Sequence, residues 1–239
     1  MPLALRAEHV DGAAFAFTTR EGGVSRPPFD SLNLGVHVGD DPDAVAENRR
    51  RVAEAAGVRD LVVATQVHGR DVAEVTGPWD GDPPEADALV TRSRDVALGV
   101  LVADCTPVLL AAPAEGVVGV AHAGRKGMAA GVALALVEAM RDLGARTLVG
   151  RIGPSVCPRC YEVPLALREE VAEAHPVARS VTRHGTPSLD VAGAVLEQLA
   201  PHCWALEQVD GCTAERPDLF SYRRDGTTGR SAGLVWLTG

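Results

Sequence analysis

The 239-residue chain suits one large α/β domain, with two small ones less favoured, and its 46% apolar content supplies a sizeable core. Aromatics make up only 4%, so that core has to be built from Val, Leu and Ala. A net charge of -9 argues against nucleic-acid polymers and anionic membrane surfaces as partners, while leaving room for a small anion in a locally basic pocket.

The first residues, Met1-Pro2-Leu3-Ala4-Leu5-Arg6, carry no signal-peptide pattern. Asp41 reads as the cap of a helix with Pro42 at its first position, running through Val45 and Val52 to Gly57. Leu61 to Val67 reads as a strand, and the Pro/Gly-rich stretch Gly77 to Pro84 as a loop. Val96 to Ala103, Val108 to Ala111, Val117 to Ala121 and Leu148 to Ile152 are Val-rich, nearly continuous apolar runs, as expected of strands buried on both faces. A helix is expected from about Gly127 to Gly144. Its stretch Gly127 to Val137 is the longest uncharged apolar run, well short of the roughly 20 residues that span a bilayer. A further helix runs from near Pro164 to before Pro176, and Asp190 caps one that ends before Pro201. The tail, Phe220 to Arg223, Asp225 to Gly229 and Ala232 to Leu237, reads as a hairpin. Strands mixed with covering helices, without repeat or long linker, give an α/β class and a single domain over residues 1–239. Five cysteines, an odd number scattered along the chain, suit a reducing compartment, so a cytoplasmic protein is expected.

Three strand ends carry candidate metal ligands: Gln66-Val67-His68-Gly69, Ala103-Asp104-Cys105-Thr106 and Val120-Ala121-His122-Ala123. Two imidazoles and a thiolate suit zinc, and three protein ligands leave a fourth position for water or substrate, the catalytic pattern. The same residues also admit a metal-free reading, with Cys105 as nucleophile and His68 or His122 as its base. After His122, Gly124-Arg125-Lys126-Gly127 leads into a helix and contains the chain's single lysine. It is either an anion site built on helix N-terminal amides or a solvated basic pair. Cys157-Pro158-Arg159-Cys160 lacks a second C-x-x-C to complete a zinc ribbon, which favours two ordinary loop cysteines and leaves redox activity open. Seven histidines without a His-x-His pair exclude a multicopper oxidase. The absence of His-x-Glu with Pro-Cys-x-x-Cys excludes the usual nucleobase deaminases. There is no Walker loop and no Gly-x-Gly-x-x-Gly after a strand.

Several segments resemble the YfiH-type family, often labelled "polyphenol oxidase" or "laccase domain". They are Thr18 to Ser25, Ser31 to Asp40, Asn48-Arg49, Gln66 to Gly69, Ala86 to Thr91, Ala103-Asp104-Cys105, His122-Ala123-Gly124, Ile152-Gly153-Pro154 leading to Cys160-Tyr161-Glu162-Val163, and Phe220 to Gly226. They run in order over nearly the whole chain. The resemblance implies a layered α/β sandwich similar to a bacterial toxin's cysteine-hydrolase domain, with zinc held by His68, Cys105 and His122. It implies phosphorolysis of purine nucleosides (adenosine, inosine, guanosine, methylthioadenosine) with some adenosine deamination. Some members are linked instead to peptidoglycan-precursor editing on a muramic-acid nucleotide, an amidase or cysteine-hydrolase reading, and a non-catalytic zinc-binding interaction protein is the remaining alternative. On the phosphorylase reading Arg125 and Lys126 hold the anion, and Asp104 takes a proton or orients a ligand histidine. Asn33, Arg20, Tyr161 and Arg223 are substrate contacts by resemblance. The family often has Trp then Arg after His-Ala-Gly; here Arg125 and Lys126 keep the second charge and lose the aromatic platform.

Overall fold

The computed structural model describes residues 3, 5–79 and 81–238. The readings above that fall on Met1, Pro2 and Ala4, and on Asp80 of the Gly77–Pro84 loop, lie outside the described residues. In chain order the elements are β1 (Ala7–Val10), β2 (Ala13–Phe17), α1 (Pro42–Ala56), β3 (Asp60–Val62), β4 (Val72–Val75), β5 (Ala88–Thr91), β6 (Val96–Val102), β7 (Thr106–Ala112) and β8 (Val117–Ala123). Then follow α2 (Arg125–Ala130), α3 (Val132–Asp142), β9 (Leu148–Ile152), α4 (Leu165–Ala174), β10 (Arg179–Val181), β11 (Pro187–Leu189), α5 (Val191–Leu199), β12 (Cys203–Gln208), α6 (Tyr222–Asp225) and β13 (Ser231–Leu237).

Two mixed sheets form the centre. One has the order β1-β2-β13-β6-β3 and the other β12-β9-β7-β8-β5-β4; β10 and β11 form a separate ribbon. The period-2 alternation of side chains builds the layers. On β7, Leu109 and Ala111 face the other sheet, whose β6 and β13 supply Leu98, Val100 and Val235. Val108, Leu110 and Ala112 face outward onto Met128 of α2, Leu136 and Met140 of α3, and Val195 of α5. The outer face of the five-stranded sheet carries Ala14, Ala97 and Leu234, covered by Val52 and Ala53 of α1 and by Leu32 and Leu34. The result is a helix–sheet–sheet–helix sandwich, the mixed-sheet α/β class read from the sequence. Each wholly buried Val or Leu contributes about 1.5–3 kcal/mol.

The four expected helices form, with one correction. α1 is capped by Asp41, whose carboxylate accepts the Asp43 N–H, and ends at Gly57 with φ 70°. The expected helix from Gly127 to Gly144 is two helices, because Gly131 turns left-handed (φ 81°) between α2 and α3. The expected strand over Leu61–Val67 stops at Val62. Beyond it the Gln66 side-chain amide replaces backbone pairing: its Nε2 donates to the Leu101 carbonyl (2.9 Å) and its Oε1 accepts the Leu101 N–H (2.7 Å). The tail is not a hairpin. Ser221 caps the short α6, accepting the Arg224 N–H, and β13 runs between β2 and β6. Among the described residues no helix is long and apolar enough to cross a membrane.

Candidate metal and substrate site

The chain passes from the five-stranded to the six-stranded sheet at one end of the sandwich. β3 leads into β4 through residues 63–71, and β6 leads into β7 through Ala103-Asp104-Cys105. The second crossing is so tight that Asp104 takes φ 93°; on the first, His68 takes φ 61°. Left-handed backbone at residues other than glycine costs on the order of 1–3 kcal/mol each, so the surrounding contacts must hold these two turns. β8 runs antiparallel to β7 with His122 opposite Pro107, so its last residues arrive at this same end. His122 has the same parity on β8 as Val118 and Val120, both of which face the opposite sheet.

His68, Cys105 and His122, far apart in sequence, thereby offer ligand atoms within 4.8 Å of one another. His68 Nε2 is 3.9 Å from Cys105 Sγ, and the two imidazole rings meet edge-on with centroids 4.7 Å apart. Gly124 makes room for the cluster. A Cβ there would lie 2.7 Å from His68 Cδ2 and 3.1 Å from Cys105 Sγ.

Asp87 organises the cluster. Its carboxylate is buried at the head of β5 and accepts the backbone N–H groups of Val67 (3.1 Å), His68 (3.0 Å) and Gly69 (2.6 Å). The same carboxylate contacts His122 Nδ1 at 2.8 Å. One side chain thus clamps the turn carrying His68 and sets the ring of His122 so that its Nε2 is left for Cys105 or a metal. A carboxylate behind a ligand histidine is the usual outer partner of a zinc site. Burial alone would raise Asp87; the His122 ring and the Gly69 and Val67 amides outweigh it and hold the carboxyl below its ordinary value. Burial likewise works against Cys105, yet hydrogen bonds from His122 and His68 bring its thiol down to about 6. Burial would lower His122, but Asp87 and Cys105 raise it to about 9. Without a metal the pair is a thiolate beside an imidazolium. The chemistry of this donor set, two imidazoles, a readily ionised thiol and a fixed outer carboxylate, fits a zinc ion with one open position.

The cluster opens onto a cavity of about 690 Å³ whose wall carries His37, Arg49, Arg230, Arg223, Tyr161 and Tyr222. Arg49 and Arg230 spend hydrogen bonds on backbone carbonyls rather than carboxylates: Arg49 Nε donates to Leu34 (2.9 Å), and Arg230 Nη1 to Thr228 and Gly229 (3.0 Å each). Burial lowers the pKa of both. Burial also lowers that of His37, helped by Arg230, Arg49 and His122. The Arg223 guanidinium lies over the Tyr161 ring, 5.0 Å from its centroid.

The structure distributes the remaining sequence-predicted residues unevenly. Tyr161 and Arg223 line the cavity. Arg125 lines a smaller recess behind Cys105, with Tyr161. Lys126 is exposed on α2 and lines neither. Asn33 lines neither the cavity nor the recess. It is wholly buried and fully bonded, donating to Gly35 O and Asp40 Oδ2 and accepting from the N–H groups of Gly35 and Arg230. Arg20 faces another surface, paired with Asp30 and stacked on Phe220. Asp104 adjoins Cys105, but its carboxylate accepts the Thr213 hydroxyl and the Arg223 N–H, both at 2.6 Å. The carboxylate bonded to His122 is that of Asp87 instead. Sequence reading missed Asp87, Arg49, Arg230 and His37 as site residues. A lone carboxylate heading the apolar run Ala88-Leu89-Val90 is the signal that points to Asp87.

Comparison with known proteins supplies the ancestry. Residues 14–238 match the family model "Multi-copper polyphenol oxidoreductase laccase". A Streptomyces griseus protein named purine nucleoside phosphorylase ORF3 is 55% identical over 244 residues, covering 97% of this chain and 98% of its own. Purine nucleoside phosphorylase YfiH of Escherichia coli is 40% identical, covering 95% and 94%. The crystal structure of Neisseria meningitidis protein NMB0706 superposes with a TM-score of 0.85 at 33% identity, covering 98% and 99%. The chain belongs to the YfiH-type family. The copper-oxidase wording of that family's model contrasts with the site itself, where the histidine-rich shells of copper oxidases are replaced by two histidines and a thiol.

Proposed function

We propose that residues 1–239 act as one cytoplasmic, zinc-dependent purine nucleoside phosphorylase domain, using adenosine, inosine, guanosine and methylthioadenosine, with adenosine deamination as a side activity. One observation carries the reading: a three-donor cluster opens onto a cavity walled by Arg49 and Arg230, whose side-chain hydrogen bonds go to backbone carbonyls, in a chain 97% of which matches a protein named for that reaction. In phosphorolysis the bond from the ribose anomeric carbon to the purine nitrogen breaks, and an oxygen of hydrogen phosphate bonds to that carbon. The phosphate proton ends on the departing purine. Arg49 and Arg230, with His37 beside them, hold the phosphate dianion, and partial burial strengthens that attraction. Tyr161 and Tyr222 offer the stacking surface lost where the family's Trp is Arg125. Zinc bound by His68, Cys105 and His122 would supply Lewis-acid stabilisation of developing negative charge. Asp87 keeps the His122 ring and the His68 turn in place for that binding.

The test is a chromatographic product assay with adenosine, with and without phosphate. Wild type should yield phosphate-dependent adenine and ribose-1-phosphate, and Cys105→Ala should lose both turnover and the zinc of the His68–Cys105–His122 cluster. A Cys105→Ala protein with wild-type zinc content and full turnover would sink the proposal. A second reading rests on the Cys105–His122–Asp87 alignment, which is that of a thiol nucleophile, its base and an orienting carboxylate. It makes the chain an amidase acting on a muramic-acid nucleotide. Stripping the metal separates the two, because phosphorolysis is lost whereas thiol-dependent hydrolysis persists.

A further inference from the structure

A second set of metal-type donors lies outside the site described above. Cys157, Cys160, Cys212 and Glu215 place their ligand atoms within 4.8 Å of one another. They come in two pairs with the same spacing, Cys157-Pro158-Arg159-Cys160 and Cys212-Thr213-Ala214-Glu215. The missing partner of the C-x-x-C is therefore a C-x-x-E from a distant part of the chain.

Both pairs fold alike. The Cys157 carbonyl accepts the N–H groups of Cys160 (2.9 Å) and Tyr161 (3.1 Å); the Cys212 carbonyl accepts those of Glu215 (3.0 Å) and Arg216 (2.9 Å). Each is one tight turn that aims its first and fourth side chains to the same side. The turns are joined through a parallel bridge between Ser155 and Cys212 and a hydrogen bond from Thr213 N to Ser155 O (3.1 Å). The Cys157 N–H also donates to Cys212 Sγ at 3.3 Å. Cys160 Sγ and Glu215 Oε1 are 3.6 Å apart. A tetrahedron with Zn–S of about 2.3 Å and Zn–O of about 2.1 Å has an S–O edge of about 3.6 Å and S–S edges of about 3.8 Å.

We propose that Cys157, Cys160, Cys212 and Glu215 form a second, structural zinc site with all four positions filled by protein. Binding releases the three thiol protons to solvent. Three thiolates and a carboxylate leave two net negative charges around Zn²⁺. Arg183 offsets one of them, since its guanidinium donates to Cys160 Sγ (2.7 Å) and pairs with Glu215. The site would staple two segments of the substrate-site wall. Tyr161 directly follows Cys160, and Thr213, which anchors Asp104, directly follows Cys212.

Metal content and cobalt spectroscopy test this without reference to turnover. Wild type should carry two zinc ions per chain by elemental analysis. Cys105→Ser, which disables the first cluster, should retain one. Cys105→Ser loaded with Co²⁺ should show the intense near-ultraviolet charge-transfer band of several thiolates on tetrahedral cobalt. Adding Cys212→Ser should abolish that band, and Glu215→Gln, at an exposed position, should weaken cobalt retention at least tenfold. Zinc-free Cys105→Ser with no cobalt–thiolate band would overturn the proposal. So would a disulfide among these three cysteines in protein purified without oxygen.

Discussion

Replacing Asp87 by Asn keeps the shape of the side chain and removes its charge, so it isolates the clamp. Oδ2 accepts the Val67 and Gly69 amides, and Oδ1 accepts the His68 amide and contacts His122 Nδ1. Whichever way the new amide turns, its NH₂ faces two of these four partners. When it faces the Val67 and Gly69 amides, two part-buried donors that water can reach lose a charged acceptor, at a combined cost of about 1–3 kcal/mol of stability. When it faces His122 and the His68 amide, the ligand ring loses its outer carboxylate, worth about 10–100-fold in metal affinity. The expected outcome is a lower urea midpoint together with at least tenfold weaker zinc binding in a chelator competition. The pH dependence adds a check. The Asp87 carboxyl is held below its ordinary value of about 4, so its stabilising contribution is complete above that pH and is lost as pH falls through the lower folded value. The wild-type minus Asp87→Asn stability difference should therefore shrink on acidification. An Asp87→Asn protein with wild-type midpoint and zinc affinity would refute the clamp.

Other perturbations reach the same site from different sides. Gly124→Ala should abolish metal binding at the His68–Cys105–His122 cluster while leaving the circular dichroism spectrum intact, because Gly124 has an ordinary extended backbone and only its missing Cβ matters to His68 and Cys105. Wild-type zinc content in that variant would contradict the packing argument. In metal-stripped protein, alkylation of Cys105 by iodoacetamide should be half-maximal near pH 6 and blocked by zinc, since the folded thiol lies at about 6; a midpoint above 8 would show that the histidines do not stabilise the thiolate. Arg230→Met should raise the KM for phosphate by about 10–100-fold, the worth of a charged hydrogen bond of roughly 1.5–3 kcal/mol. Lys126→Met should leave that KM within about twofold, and the opposite pattern would return the anion to the turn before α2.

The strongly apolar strands and the capped helices were legible because their causes are local. Val-rich runs bury both faces, Asp41 and Asp190 each accept a first-turn N–H, and Gly57 closes α1 left-handed. The hairpin β1–β2 was not legible. β2 is Ala-rich, so its strand character comes from pairing with β13 rather than from propensity, and only Asp11-Gly12 (φ 38° and 99°) marks the turn. The tail failed for the opposite reason. A hairpin is the cheapest local solution, but β13 finds better partners in β2 and β6 at the centre of a sheet. Segment 63–67 carries strand-like residues, yet it has to cross between sheets, and no local pattern encodes that crossing.

The same division runs through the site. His68, Cys105 and His122 stand out in sequence because soft donors at the ends of apolar runs are out of place unless displayed, and the topology brings three such ends together. Asn33 and Arg20 are polar residues within sharply defined motifs, and both serve the scaffold: Asn33 fixes the backbone of Arg230, and Arg20 holds the 30–32 turn. Motif sharpness therefore measures geometric constraint and does not separate a group that meets substrate from one that positions another. Arg49 and Arg230 meet at the cavity only after α1 packs on the sheet whose central strand, β13, comes from the other end of the chain. Their basic wall, rather than the adjacent Arg125-Lys126 pair, is what tertiary structure adds. Arg125 and Lys126, adjacent in sequence, part company, Arg125 into the recess and Lys126 into water, whereas Arg49 and Arg230 are brought together half-buried with their side-chain hydrogen bonds on backbone carbonyls, an arrangement suited to an anion from solution.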